Sequence, residues 1–117
     1  MVVSIELSDV DVDRLFHALA DATRRDILRR SVDGDLSVSR LADDYPMSFA
    51  AVQKHIAVLE RVGLVTKVRR GRELLVRSEP ETLRRASAAL DELAEAWQGR
   101  VQRMAALLDE DDTKTPR

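Results

Sequence analysis

Apolar residues along the chain fall into helical and strand-like blocks separated by polar turns. Val12, Leu15, Phe16 and Leu19 follow the i, i+3, i+4, i+7 spacing of a one-faced helix, which predicts a helix over residues 9–20. Ser8 stands before it as N-cap, with Asp11 as a short substitute for the usual Glu of a capping box. Asp21 is placed to cap a second helix, in which Ile27, Leu28 and Val32 point inward and Arg24, Arg25, Arg29 and Arg30 stay in water. Asp33-Gly34-Asp35 ends that helix, because glycine takes up the left-handed backbone without a steric clash. Ser37 caps a short third helix carrying Val38, Leu41 and Ala42, and Tyr45-Pro46 breaks the chain after it.

Ser48 caps a fourth helix over 49–62, with Phe49, Val52, Ile56 and Leu59 on one face and Gly63 closing its C-terminus. Two apolar, β-branched runs, 64–68 and 73–77, flank Arg69-Arg70-Gly71-Arg72 and predict a hairpin with glycine at its tip. Glu79-Pro80-Glu81 starts the last helix, where the missing N–H of proline does no harm. Leu83, Leu90, Trp97 and Met104 recur along it every seven residues, with Ala86, Leu93 and Leu107 between them, which suits a seam against another helix. Continuous from 81 to 108, it is about 42 Å long at about 1.5 Å per residue, more than one small body covers. A two-fold dimer through this helix is the expectation, with Leu83, Leu90, Trp97 and Met104 at the interface.

The expected fold is therefore mainly α with a small β-hairpin: a winged helix-turn-helix with a long C-terminal dimerisation helix. Residues 1–117 read as one domain, with a winged-helix body over 9–78, a dimerisation helix over 79–108 and a charged tail over 109–117. Composition agrees, since 34% of residues are charged and only four are glycine and three proline.

The chain has no cysteine, which excludes a disulfide scaffold, an iron–sulfur site and a thiol nucleophile. Two histidines, His17 and His55, and no glycine-rich phosphate loop leave no nucleophile–base arrangement, so no enzyme and no cofactor are expected. No apolar run approaches the roughly 18 residues of a membrane span. Met1–Glu6 has neither a basic segment nor a long apolar one, so a cytoplasmic protein is the expectation.

Net charge is −2, but its distribution is uneven. Residues 47–77 carry Lys54, Arg61, Lys67, Arg69, Arg70, Arg72 and Arg77 against Glu60 and Glu73, while acids exceed bases on both sides. A basic middle between acidic flanks is either a footprint for a polyanion or a solvated face, and charge alone does not decide between them.

The fourth helix adds chemistry to that charge. At about 100° per residue its apolar face leaves Ala50, Ala51, Lys54, Val58 and Arg61 pointing the other way, with Gln53 and His55 on the flanks. Small residues permit close approach to a major groove, Lys donates to guanine, Gln pairs with adenine, and Ala methyls meet thymine methyls. Ser48 and the helix N-terminus suit a phosphate, and Arg69, Arg70 and Arg72 form an arm for a phosphate backbone or a minor groove.

Residues 18–28, Ala-Leu-Ala-Asp-Ala-Thr-Arg-Arg-Asp-Ile-Leu, resemble the ALADPTRRRIL opening of ArsR-type winged-helix repressors. Residues 47–65, from Met47-Ser48-Phe49 to Gly63-Leu64-Val65, are similar to their recognition-helix pattern MSxPAVSKHLxVLxxAGLV, and the match extends across roughly 9–108. The resemblance implies a homodimeric regulator binding an operator in double-stranded DNA, usually as a repressor. It places groove contact at Ser48, Ala51, Gln53, Lys54 and His55, and backbone contact at the wing arginines. Ala22 and Ala50 replace prolines of the patterns, and Gln53 stands where Ser is usual, so the operator is expected to differ.

Many relatives sense metals through a cysteine pair on the third helix. Here the corresponding stretch is Asp35-Leu36-Ser37-Val38-Ser39-Arg40-Leu41, and the last helix offers Asp91, Glu92 and Glu95 without histidine. No transition-metal site is expected. The effector is unknown from sequence. The alternative function is a winged-helix protein-interaction module without DNA binding, against which Gln53, Lys54 and the wing arginines weigh.

Overall fold

The structure, a computed structural model, describes residues 8–114. In order it contains α1 (Asp9–Leu19), α2 (Ala22–Val32), β1 (Leu36–Ser37), α3 (Val38–Asp43), α4 (Phe49–Arg61), β2 (Val65–Arg70), β3 (Glu73–Ser78) and α5 (Pro80–Lys114). Contacts divide the chain after Ala86 into two compact units.

Three of the helices in the first unit begin with a side-chain cap. Ser8 Oγ accepts from the Asp11 backbone N–H at 3.2 Å and donates to the Asp11 carboxylate at 2.9 Å. Asp21 Oδ1 accepts from Arg24 N–H at 3.0 Å, and Ser48 Oγ from Ala51 N–H at 3.1 Å. That bond to Arg24 N–H holds the Asp21 carboxyl below the ordinary carboxylate range. Ser37, by contrast, makes no cap bond, because it lies in β1 opposite Leu75. A strand of two residues carries no periodicity, so the sequence gives no sign of it.

Gly63 closes α4 as expected. Its φ is +79°, Leu64 N–H reaches the Leu59 carbonyl at 3.0 Å, and Gly63 N–H reaches that of Glu60 at 3.0 Å. This nested pair is a Schellman cap, and it turns the chain directly into β2. The three strands are antiparallel in the order β1-β3-β2, with Lys67 opposite Val76 and Arg70 opposite Glu73. Gly71, at φ +62°, is the first central residue of the two-residue turn, where a side chain would be strained.

The core of this unit gathers Leu15, Ile27, Leu28, Leu41, Val52, Ile56, Leu59, Leu64, Val65 and Val76, with Ala86 of α5. Two residues expected inside lie outside. Val32 is 59% exposed, because the buried line of α2 is Ile27, Leu28 and Ser31. Ser31 tolerates burial by donating to the Leu28 carbonyl at 2.6 Å. Phe49 is 48% exposed, since at position one of α4 it stands a turn ahead of the buried Val52 and Ile56.

The second unit is the remainder of α5. The helix runs to Lys114 rather than 108, as no glycine or proline interrupts it between Gly99 and Pro116. It leaves Leu90, Leu93, Trp97, Val101, Met104, Leu107 and Leu108 exposed. Arg100 stacks its guanidinium over the Trp97 ring, 5.7 Å from the centroid.

Candidate nucleic-acid interface

The helix-turn-helix of the first unit is α3, a tight turn and α4. Pro46 sits at the bend, where Met47 N–H donates to the Tyr45 carbonyl at 2.8 Å. Tyr45 is fixed from two sides. Its hydroxyl donates to Asp26 Oδ2 at 2.5 Å, and Arg30, paired with Asp44 at 2.7 Å, lies over its ring. That hydroxyl holds the Asp26 carboxyl below the ordinary carboxylate range, and burial together with Asp26 pushes the Tyr45 phenol up. Arg30, expected in water, thus helps set the angle at which α4 leaves α3.

On α4, Ser48, Ala50, Gln53 and Lys54 are exposed, while Ala51 and His55 are half-buried. Ser48 uses a lone pair for its cap bond and keeps its O–H. His55 is held at its inner edge: Arg24 Nη1 lies 3.3 Å from Nδ1, and Asp21 Oδ1 lies 3.9 Å from the same atom. Arg24 also donates from Nε to the Ala18 carbonyl at 2.6 Å and from Nη2 to that of His17 at 3.1 Å. Arg25 donates to the Leu19 carbonyl at 2.7 Å. The paired arginines thereby satisfy the carbonyls that the last turn of α1 leaves open. The sequence pattern places Arg24 in water; the signal for its actual place is an arginine in the first turn of a helix that follows another after two residues.

The wing is β2–β3. Arg69, Arg70 and Arg72 are exposed around Gly71. Two other bases nearby are neutralised: Lys67 reaches Glu60 at 3.6 Å, and Arg77 grips Asp35 with two bonds of 3.1 and 2.8 Å. The Arg77 guanidinium holds the Asp35 carboxyl below its ordinary range. Lys54, Arg69 and Arg72 form no ion pair with any described residue, while Arg70 adds to the positive field on Asp35. Free positive charge is thus left on α4 and on the wing.

Comparisons with known proteins place the chain in a family. The chain is 35% identical over 103 residues to the HTH-type transcriptional regulator Rv2034 of Mycobacterium tuberculosis, covering 88% of this chain and 94% of that protein. Its fold matches the crystal structure of an ArsR family transcriptional regulator with TM-score 0.72 and 33% identity, over 80% of this chain and 97% of the other. The chain belongs to the ArsR family. No protein-family model matches it.

A further likeness, of fold alone, is to the homodimeric winged helix-turn-helix DNA-binding domain Mb0332 from Mycobacterium bovis. The TM-score is 0.60 at 24% identity, over 81% of this chain and 91% of that one. This ArsR protein is a helix-turn-helix transcriptional regulator, of a family that is not enzymatic. It has no cysteine and so lacks the family's thiolate metal site. Among the described residues no three His, Asp or Glu side chains stand together to hold a metal ion, and no helix is long and apolar enough to cross a membrane.

The sequence-predicted residues separate by position. Ser48 caps α4, Ala51, Gln53, Lys54 and His55 lie in its N-terminal half, and Arg69, Arg70 and Arg72 cluster at the wing tip. Leu83 packs partly on the core of the first unit. Leu90, Trp97 and Met104 are exposed in the second, where Trp97 is 61% exposed.

Proposed function

We propose that the protein binds an imperfect palindromic operator as a homodimer and represses transcription by occupying it. α4 enters the major groove with Ser48, Ala51, Gln53, Lys54 and His55, and Arg69, Arg70 and Arg72 follow the backbone or the minor groove. The observation that carries this reading is the charge of Lys54, Arg69 and Arg72, which no ion pair among the described residues neutralises, beside the exposed N-terminal half of α4. A face meant for another protein would be apolar or acidic there, which disfavours an interaction module without DNA binding.

Dimerisation is supported by the stripe Leu90, Leu93, Trp97, Val101, Met104 and Leu107, whose steps of three or four residues keep it on one face of the helix. An apolar stripe of this extent left in water is a surface awaiting a partner. The fold relative from Mycobacterium bovis is itself a homodimer. A regulator of this kind works where the chromosome lies, which places it in the cytoplasm.

Fluorescence anisotropy tests the reading, with the DNA upstream of the protein's own gene compared with a scrambled duplex over a salt titration. Tight binding to the first, with a steep salt slope and a much weaker control, is the expected result. Binding to neither duplex at low salt overturns it in favour of the interaction module.

A further inference from the structure

One large apolar side chain on α4 is turned to solvent. Phe49 is the first residue of the helix, is 48% exposed, and belongs neither to the core nor to the half-buried residues packed on it. Its neighbours already do the structural work at this end of the helix. Met47 and Val52, at the two positions of a hydrophobic staple, both pack into the core cluster, and Ser48 supplies the cap. The Phe49 ring is therefore left out of the fold's own packing.

Its position is what gives it a use. At about 100° per residue Phe49 stands one turn before Gln53 and next to Ala50, both exposed. The ring lies at the edge of the patch assigned to the major groove, and Ala50 leaves space beside it. Base edges in that groove show hydrogen-bond donors, acceptors and a single apolar group, the 5-methyl of thymine. A phenyl ring has nothing to give phosphate or a purine acceptor, so the methyl is its chemical match.

We propose that Phe49 is a specificity-determining residue that seats against the 5-methyl group of a thymine, next to the base pair met by Gln53. The inference rests on the placement of α4 in the major groove. Removing one methyl from such a contact weakens binding about fourfold.

The test begins with duplexes enriched by the wild-type protein from a random DNA pool. Each thymidine of an enriched duplex is replaced in turn by deoxyuridine, which deletes only the methyl group. Wild type is expected to lose about fourfold at one thymine in each half-site, and Phe49→Ala to bind the thymine and uracil duplexes equally. Phe49→Leu, which keeps an apolar side chain, retains part of the methyl sensitivity and shows that the helix is intact. Wild-type indifference to every methyl, or an equal methyl effect in Phe49→Ala, overturns the inference while leaving the DNA-binding reading standing. A pool that yields no enriched sequence overturns both.

Discussion

Arg24 and His55, 31 positions apart in the chain, meet with Nη1 3.3 Å from Nδ1. A guanidinium only donates, so this contact is a hydrogen bond in the tautomer whose Nδ1 accepts and whose proton is on Nε2. The same guanidinium holds the Ala18 and His17 carbonyls, so one side chain joins the end of α1 to the middle of α4.

Arg24→Ala is expected to destabilise the protein by about 1–3 kcal/mol, the range for losing charge-assisted bonds to carbonyls. Arg24→Lys will not restore it, since an ammonium cannot span three acceptors that a planar fork reaches together. Urea denaturation of both variants checks this; a midpoint equal to wild type for either would show that the bonds add nothing.

The Tyr45–Asp26 hydrogen bond makes stability depend on pH at both extremes. Asp26 has a folded pKa below its ordinary 3.8, so its contribution is full above that value and is lost as pH falls through the folded value. Tyr45 has a folded pKa above its ordinary 10.0, so its contribution is full below 10.0 and is lost as pH rises through the folded value. Tyr45→Phe should therefore cost about 1 kcal/mol at neutral pH, with the gap to wild type closing on both the acid and the alkaline side. Thermal melts from pH 3 to pH 11 would reveal this; a gap constant with pH would contradict it.

On the proposed mode of binding, the wing arginines act on phosphates and are blind to sequence. Replacing Arg69, Arg70 and Arg72 by alanine should weaken binding to every duplex alike and flatten the salt dependence by about 0.9 in slope for each phosphate that is no longer neutralised. Gln53→Ala should instead leave the slope unchanged and alter base preference. Salt titrations on a matched and a scrambled duplex separate the two behaviours.

Much of this arrangement is legible in the sequence. The apolar spacing of Leu15, Ile27, Val52, Ile56 and Leu59 marks the core, and the caps at Ser8, Asp21 and Ser48 and the stop at Gly63 mark helix ends. These features are local, each needing only a few neighbouring residues. What escaped depends on partners distant in the chain. β1 exists because Leu36 and Ser37 pair with Val76 and Leu75, and Arg24 leaves water because α1 ends beside it. Phe49 escaped for another reason: its spacing to Val52 and Ile56 fits the inner face, but a residue in the first turn has no preceding turn beneath which to tuck.

The exposed stripe of the second unit gives a prediction about assembly. Trp97→Glu places a charge in the middle of it without touching a buried residue, so helicity should persist while a dimer becomes a monomer. Sedimentation equilibrium at micromolar concentration reads this directly. Wild-type protein that sediments as a monomer would remove the basis for the two-fold model.

The contact between Arg24 and His55 also bears on the hydrogen-bonding sense of the α4 surface, for the tautomer whose Nδ1 accepts. With Nδ1 occupied, His55 has only an N–H left to offer; Lys54 has only N–H, and Ser48 has committed a lone pair to its own helix. Among the side chains proposed for the groove, the acceptors left over are the amide oxygen of Gln53 and the second lone pair of Ser48. The exocyclic amino groups of adenine and cytosine can be read only by an acceptor. On the proposed mode of binding, their recognition therefore falls to Gln53 Oε1 and the second lone pair of Ser48, whereas the oxygen and N7 edges of purines face several donors at once.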